Sequence, residues 1–170
     1  SGEGLHIKGG NGSGKSTLLR IILGITSPSK GLIQSYDQDL KISYLGHKNA
    51  IKNYLTPIEN LKLLFSGEDL NVAFEWLKKF GLSHVQDELT ASLSFGQQKK
   101  LALIRVLAQS SDLLILDEPF VGLDQATADQ LNSFLAQKIS QDVGLILTSH
   151  ITPMIDCAVL DLGVKNAWLY

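Results

Sequence analysis

Eight residues, GGNGSGKS at 9–16, fit the spacing G-x-x-x-x-G-K-[ST]. Each residue type has a job on an anion. Gly9, Gly12 and Gly14 admit positive φ and let the backbone approach a ligand closely. Gly10, Asn11 and Ser13 fill the loop between them. Successive N–H groups then converge on phosphate oxygens, with the dipole of the following helix behind them. Lys15 brings a point charge to the outer phosphates. The Ser16 hydroxyl is suited to Mg²⁺, and Thr17 reaches an inner phosphate. This is chemistry for a nucleoside triphosphate.

A second group of polar residues follows apolar runs. LLILDEP (113–119) ends a short apolar run in Asp117 and Glu118. Ligands of open α/β sheets gather at strand ends. Asp117 is suited to hold Mg²⁺, directly or through water, and Glu118 to orient an attacking water. In a regular strand the two would point to opposite faces. The plain alternative is an acidic turn before Pro119, and the phosphate loop upstream outweighs it. His150 closes LILTSH in the same way and is suited to a terminal phosphate. LSFGQQKKLALIR (93–105) starts another helix with a serine and exposes backbone at Gly96, so the chain has a second anion-binding helix start. Its plain reading is a capped helix with Leu101, Ile104 and Ala108 toward the core. Lys99, Lys100 and Arg105 read as a solvated face, not a nucleic-acid site. Asp124 reads locally as the N-cap of the next helix. His6, His47 and His84 lack metal-ligand spacing, so no zinc site is assigned.

The elements that must hold these residues are legible as patterns. LHIK (5–8) is an apolar run leading into the glycine loop, and KSTLLRIILG (15–24) is a helix closed by Gly24. GLIQS (31–35) and KISYLG (41–46) read as short strands. In TPIENLKLLF, Thr56 is an N-cap, Pro57 the first helical residue and Glu59 the partner in a capping box. Ile58, Leu61 and Phe65 recur at helical spacing. NVAFEWLKKFG sets Val72, Trp76 and Phe80 on one face, with Gly81 as a stop. Residues 48–105 therefore read as a helical insert within a single domain, 1–170, whose core is formed by 1–47 and 106–170. LLIL (113–116) and LIL (145–147) suit strands buried on both faces. The helix QATADQLNSFLAQKI between them turns Leu131 and Leu135 inward. Strand–helix–strand at both ends predicts an α/β fold with a mostly parallel sheet.

Composition narrows the class. The chain has 170 residues, 44% of them hydrophobic, which suffices for a sizeable core. A net charge of −2 gives no whole-chain case for nucleic acid or anionic lipid. Cys157 is the only cysteine, so no disulfide forms within the chain, as suits a reducing compartment. The opening SGEGLHIKGG has no leader-like apolar core. No apolar run approaches the ~18 residues needed to span a bilayer. Any membrane role is expected to come through a partner.

Taken in order, GGNGSGKST, LSFGQ, LLILDEP, GLD (122–124) and His150 resemble the ATP-binding subunits of ABC transporters over nearly the whole chain. The resemblance implies a P-loop NTPase (RecA-like) fold that hydrolyses MgATP. It also implies a head-to-tail homodimer in which Ser94, Gly96 and Gln97 cap in trans the ATP held by the partner's phosphate loop. Glu118 and His150 are then catalytic, Asp117 and Ser16 bind Mg²⁺, and Asp124 lies at the dimer interface. A narrower stretch, YLGHKNAIKNYLTPIENL with LSFGQQ later, resembles the haem-exporter ATPase of cytochrome c maturation. There His47 stands where most of the family has Gln, at the metal and water, and is assigned with the catalytic residues. The process implied is export in cytochrome c biogenesis. The partners implied are integral membrane permease subunits docking around residues 47–66, at the cytoplasmic face of a bacterial inner membrane. The alternatives are another ABC transporter, a soluble ABC ATPase acting on DNA or ribosomes, and a non-catalytic nucleotide-binding subunit. A P-loop kinase would have no use for LSFGQ. The family pattern also places an antiparallel strand pair and an adenine-stacking aromatic ahead of the phosphate loop. This sequence reaches the loop at residue 9, so that piece is expected to be missing and adenine to be held loosely.

Overall fold

A computed structural model describes residues 2–34 and 39–163. Strand β1 (Gly4–Lys8) runs into the glycine loop and helix α1 (Lys15–Ile22), with Gly24 at φ 69° just beyond the C-cap. Strand β2 (Ile42–Leu45) follows. Helices α2 (Pro57–Leu64) and α3 (Gly67–Lys79), two short 3₁₀ turns and helix α4 (Phe95–Leu107) come next. Strand β3 (Leu113–Asp117), helix α5 (Gln125–Ser140), strand β4 (Gly144–Thr148) and strand β5 (Ala158–Asp161) complete the order.

The five strands form one sheet in the order β2-β3-β4-β1-β5, and every pairing is parallel. This is the α/β fold the strand–helix–strand pattern predicts. Parallel register brings all the strand C-termini to one edge, with Asp117 beside Thr148 and Leu45 beside Leu116. Side-chain alternation divides the core. Ile115 packs with Ile7 and Leu19 on the α1 side. Leu114 and Leu116 face the other way, into a larger cluster with Leu131 and Leu135 of α5 and Leu101 and Ile104 of α4. That cluster continues to Trp76, Leu77 and Phe80 of α3, so the helical stretch and the sheet share one core.

Local signals account for the helix starts. Thr56 accepts from the Glu59 N–H, and the Glu59 carboxylate accepts from the Thr56 N–H at 2.8 Å, closing the expected capping box. The Thr56 backbone N–H, and then the Thr56 side chain, hold the Glu59 carboxyl below its ordinary range. Helix α3 begins four residues before NVAFEW, with Glu68 and Asp69 in its first turn, where the dipole favours acids. Its buried face is Ala73, Trp76, Leu77 and Phe80, whereas Val72 is exposed. Trp76 and Phe80 thus face the core as expected, and Val72 does not.

Two strand expectations differ. Residues 32–34 carry no strand, and Ser35 lies outside the described residues. Strand β5, a short and mostly exposed edge, had no alternating pattern to announce it.

Candidate functional site

The glycine loop takes the backbone its sequence requires. Gly9, Gly12 and Gly14 have φ of 151°, 78° and 95°, values that strain any residue with a Cβ. A Cβ on Gly9 would also collide with Ser13 Oγ. Lys15 is buried, and its ammonium donates to the carbonyls of Gly9 (2.8 Å) and Gly10 (3.3 Å).

Glu118 lies just past the end of β3 and has φ 49°. Left-handed backbone at a non-glycine residue costs about 1–3 kcal/mol and persists where surroundings enforce it. The rule of opposite faces thus stops at Asp117. The turn swings Glu118 back toward the glycine loop, where Oε1 lies 3.7 Å from Lys15 Nζ and 3.3 Å from His150 Nε2. The His150 N–H also donates to Glu118 Oε2 at 3.3 Å.

Thr148 holds this turn, and sequence reasoning missed it. Its hydroxyl donates to Asp117 Oδ1 at 2.7 Å and accepts from the Glu118 N–H at 2.9 Å. The sequence offers only a hydroxyl residue closing an apolar run, and its place beside Asp117 is set by strand register. His6, buried in β1, meets the Ser149 carbonyl at 3.1 Å and steadies the segment leading to His150.

Asp117 is 1% exposed, and its second oxygen, Oδ2, is sealed from solvent without a hydrogen-bond partner. A buried carboxylate oxygen left without a donor is costly unless a cation or donor completes it. This oxygen, with the Ser16 hydroxyl, fits Mg²⁺, which takes one or two protein ligands and fills the rest with phosphate oxygens and water. Among the described residues no cluster of three or more His, Cys, Asp or Glu forms a protein-only metal cage.

A cavity of about 400 Å³ is bordered by part of this set, with Asp117 and Thr148 behind its wall and not among the lining residues. Residues 11–17 line it together with His47, Glu118 and His150. Phe95, Lys99 and Val121, none of them expected, line it as well. Ser94, Gly96 and Gln97 do not border it in their own chain. They form the capped start of α4. Ser94 accepts from the Gln97 N–H, and the Gln97 side chain accepts from the Ser94 N–H at 2.8 Å. Gly96 has a second reason to be glycine, because a Cβ there would lie 2.8 Å from the Gly122 carbonyl oxygen.

The reading of Lys99, Lys100 and Arg105 as a solvated face is corrected. Lys99 is 3% exposed, and burial pushes its pKa down against the pull of Asp117 and then Glu118. Lys100 pairs with Asp124 at 2.6 Å and donates to the Phe80 carbonyl. Arg105 donates to the carbonyls of Asn49 and Ala50, tying α4 to the loop that carries His47. Burial of its guanidinium lowers the Arg105 pKa. The reason is that α4 is surrounded: Leu101, Ala102, Leu103, Ile104, Val106 and Leu107 are all buried. Asp124 caps α5 by accepting from the Thr127 N–H at 2.9 Å. The Lys100 ammonium, and then the Thr127 donors, hold its carboxyl well below the usual range.

The chain is similar to known proteins in sequence and in fold. The family model described as ABC transporter matches residues 1–121. The cytochrome c biogenesis ATP-binding export protein CcmA of Escherichia coli (strain K12) is 37% identical over 161 residues, covering 88% of this chain and 77% of the relative. Its counterpart in Idiomarina loihiensis is 37% identical over 162 residues, covering 88% and 74%. Among solved structures, the dimeric ABC transporter cassette MJ0796 superimposes with a TM-score of 0.77 at 27% identity, covering 95% of this chain and 82% of that one. A dimeric post-hydrolysis state of that cassette bound to ADP and Pi gives 0.73 at 28% identity, covering 88% and 75%.

Proposed function

The chain belongs to the ABC transporter family as an ATP-binding subunit, and from that premise we propose that it hydrolyses MgATP to drive an export step in cytochrome c biogenesis. The observation that carries the proposal is the convergence of Lys15, Glu118 and His150 on one cavity floored by the glycine loop. The export process is supported by CcmA relatives at 37% identity over 88% of the chain.

Residues 9–17 bind the triphosphate through backbone N–H groups and the Lys15 charge. Ser16 and Asp117 hold Mg²⁺, which, when bound, neutralises charge on the phosphate oxygens. Glu118 orients the attacking water and takes its proton. The Thr148 hydroxyl fixes the Glu118 backbone, so the carboxylate meets the water without first rearranging. His150, within reach of Glu118 and bordering the cavity, hydrogen-bonds the terminal phosphate. His47, on the loop tied down by Arg105, approaches the same end of the nucleotide.

Two copies pack head to tail. Ser94, Gly96 and Gln97 of each cap the nucleotide of the other, in keeping with their position outside their own chain's cavity. Asp124 lies at that interface, held by Lys100. Residues 48–105 form the helical subdomain, whose segment around 47–66 receives the integral membrane permease subunits at the cytoplasmic face of the inner membrane. Among the described residues no helix is long and apolar enough to cross a membrane.

Glu118→Gln tests the catalytic assignment. The variant should bind ATP, turn over about 10²–10⁴-fold more slowly, and accumulate as an ATP-bound dimer detectable by light scattering. Hydrolysis at the parent rate would remove Glu118 from the role of base.

A further inference from the structure

The cavity borders one cation that the mechanism above does not use. Lys99 is 3% exposed and lines the cavity with residues 11–17 and Glu118. Among the described residues its ammonium makes no hydrogen bond, and no carboxylate lies within ion-pair distance of it. Burying an ammonium without a partner is costly. The carboxylates of Asp117 and Glu118 attract it from a distance and do not satisfy its donors. Nor is the ammonium sealed off. The buried polar atoms without a hydrogen bond include Asp117 Oδ2 and Glu118 Oε1 but not Lys99 Nζ, so the ammonium keeps some exposure, and Lys99 borders the cavity. Three free donors at the wall of a phosphate cavity fit an anion.

The placement on α4 adds meaning. Phe95 and Lys99 are four residues apart, share a helix face, and both border the chain's own cavity. Ser94, Gly96 and Gln97, at the start of the same helix, do not. We propose that Lys99 is a binding residue for the terminal phosphate of the nucleoside triphosphate held by its own chain. Helix α4 then touches two nucleotides, the partner's at its capped start and its own through Lys99, one turn further on. This rests on the reading of the cavity as an ATP site and adds a second cation to Lys15. It also gives α4 a rigid link between the two sites. A shift of its start on the partner's nucleotide is carried to Lys99 without any change in helix geometry.

The test is nucleotide titration of Lys99→Met and Lys99→Arg by calorimetry, using the β,γ-imido analogue of ATP and ADP, with Mg²⁺ present. Both variants are made in a Ser94→Arg background, which removes the proposed contact to the partner's nucleotide. A charge-assisted bond to the terminal phosphate predicts that Lys99→Met loses about tenfold to a hundredfold in affinity for the triphosphate analogue. Affinity for ADP should stay within about twofold, and Lys99→Arg should restore most of the loss. The melting temperature of Lys99→Met without nucleotide should equal or exceed that of its Lys99 parent, because an apolar chain of similar length replaces an unpaired buried charge. Equal losses for ADP and the triphosphate analogue, or no loss for either, would overturn the assignment of Lys99 while leaving the ATP site intact. If the Lys99 parent itself binds neither nucleotide, the fault lies with the ATP site.

Discussion

Thr148→Val removes one hydroxyl and keeps the branched shape of the side chain. That hydroxyl lies in a fully buried position and makes two bonds, to Asp117 Oδ1 at 2.7 Å and from the Glu118 N–H at 2.9 Å. Without it both carboxylate oxygens of Asp117 lack a donor, since Oδ2 already has none. A hydrogen bond to a charged group contributes about 1.5–3 kcal/mol, and a stranded buried N–H costs about 1–3 kcal/mol. Partial relaxation of the strained turn at Glu118 offsets some of this, leaving a loss of about 3–5 kcal/mol. For a chain of this size that is a fall in melting temperature of about 10 °C. ATP binding should be retained, because the glycine loop is untouched, while turnover falls at least tenfold as Glu118 loses its anchor. Thermal melts and a phosphate-release assay read both effects, with Thr148→Ser as the variant that keeps the hydroxyl. A melting temperature within about 2 °C of the parent, with full turnover, would refute the view that Thr148 holds the carboxylate pair.

Three further outcomes follow from particular contacts. Gly96→Ala sets a Cβ 2.8 Å from the Gly122 carbonyl oxygen, so the protein should lose about 1–3 kcal/mol although alanine is the better helix former by about 1 kcal/mol; a rise in melting temperature would show that the close approach is not real. Asp124→Asn should flatten the acid side of the stability profile. The folded Asp124 carboxyl is held below its unfolded value of about 3.9, so its contribution is present above about pH 4 and fades as the pH falls; the melting-temperature gap between parent and variant should shrink between about pH 5 and pH 3, and a constant gap would contradict this. Phe80→Ala, at a side chain 2% exposed whose ring packs tilted against Trp76 at 5.1 Å between centroids, should cost about 3–5 kcal/mol, with a loss under about 1 kcal/mol by urea denaturation contradicting the shared core.

The features legible in the sequence were those fixed by local geometry. The glycine spacing lies within eight consecutive residues, and the capping box of Thr56 and Glu59 and the cap at Asp124 each depend on residues three apart. The apolar runs at 113–116 and 145–147 suited strands buried in a parallel sheet, and both lie in such strands. What sequence reasoning missed depends on neighbours distant along the chain. Lys99 and Arg105 read as solvated because a charged residue on a helix usually is. The helix that bears them is packed by α3 and the sheet on most sides, a fact written in residues far from 99 and 105. The turn at Glu118 is set by a hydroxyl thirty positions later, and β5 forms because β1 offers it an edge. For the same reason Val121 and Phe95 went unnoticed, although the Phe95 ring approaches Gly122 closely enough that a Cβ there would lie 2.6 Å from it.

In the proposed mechanism each nucleotide is gripped by Lys15 of one copy and closed by Ser94 of the other. Mixing two inactive variants, Lys15→Ala and Ser94→Arg, tests it most directly. If the sites are shared, a mixed dimer collects both lesions in one site and leaves the other whole, so the mixture should release phosphate when neither variant does alone. A mixture as silent as its components, with mixed dimers demonstrated by crosslinking, would contradict the account.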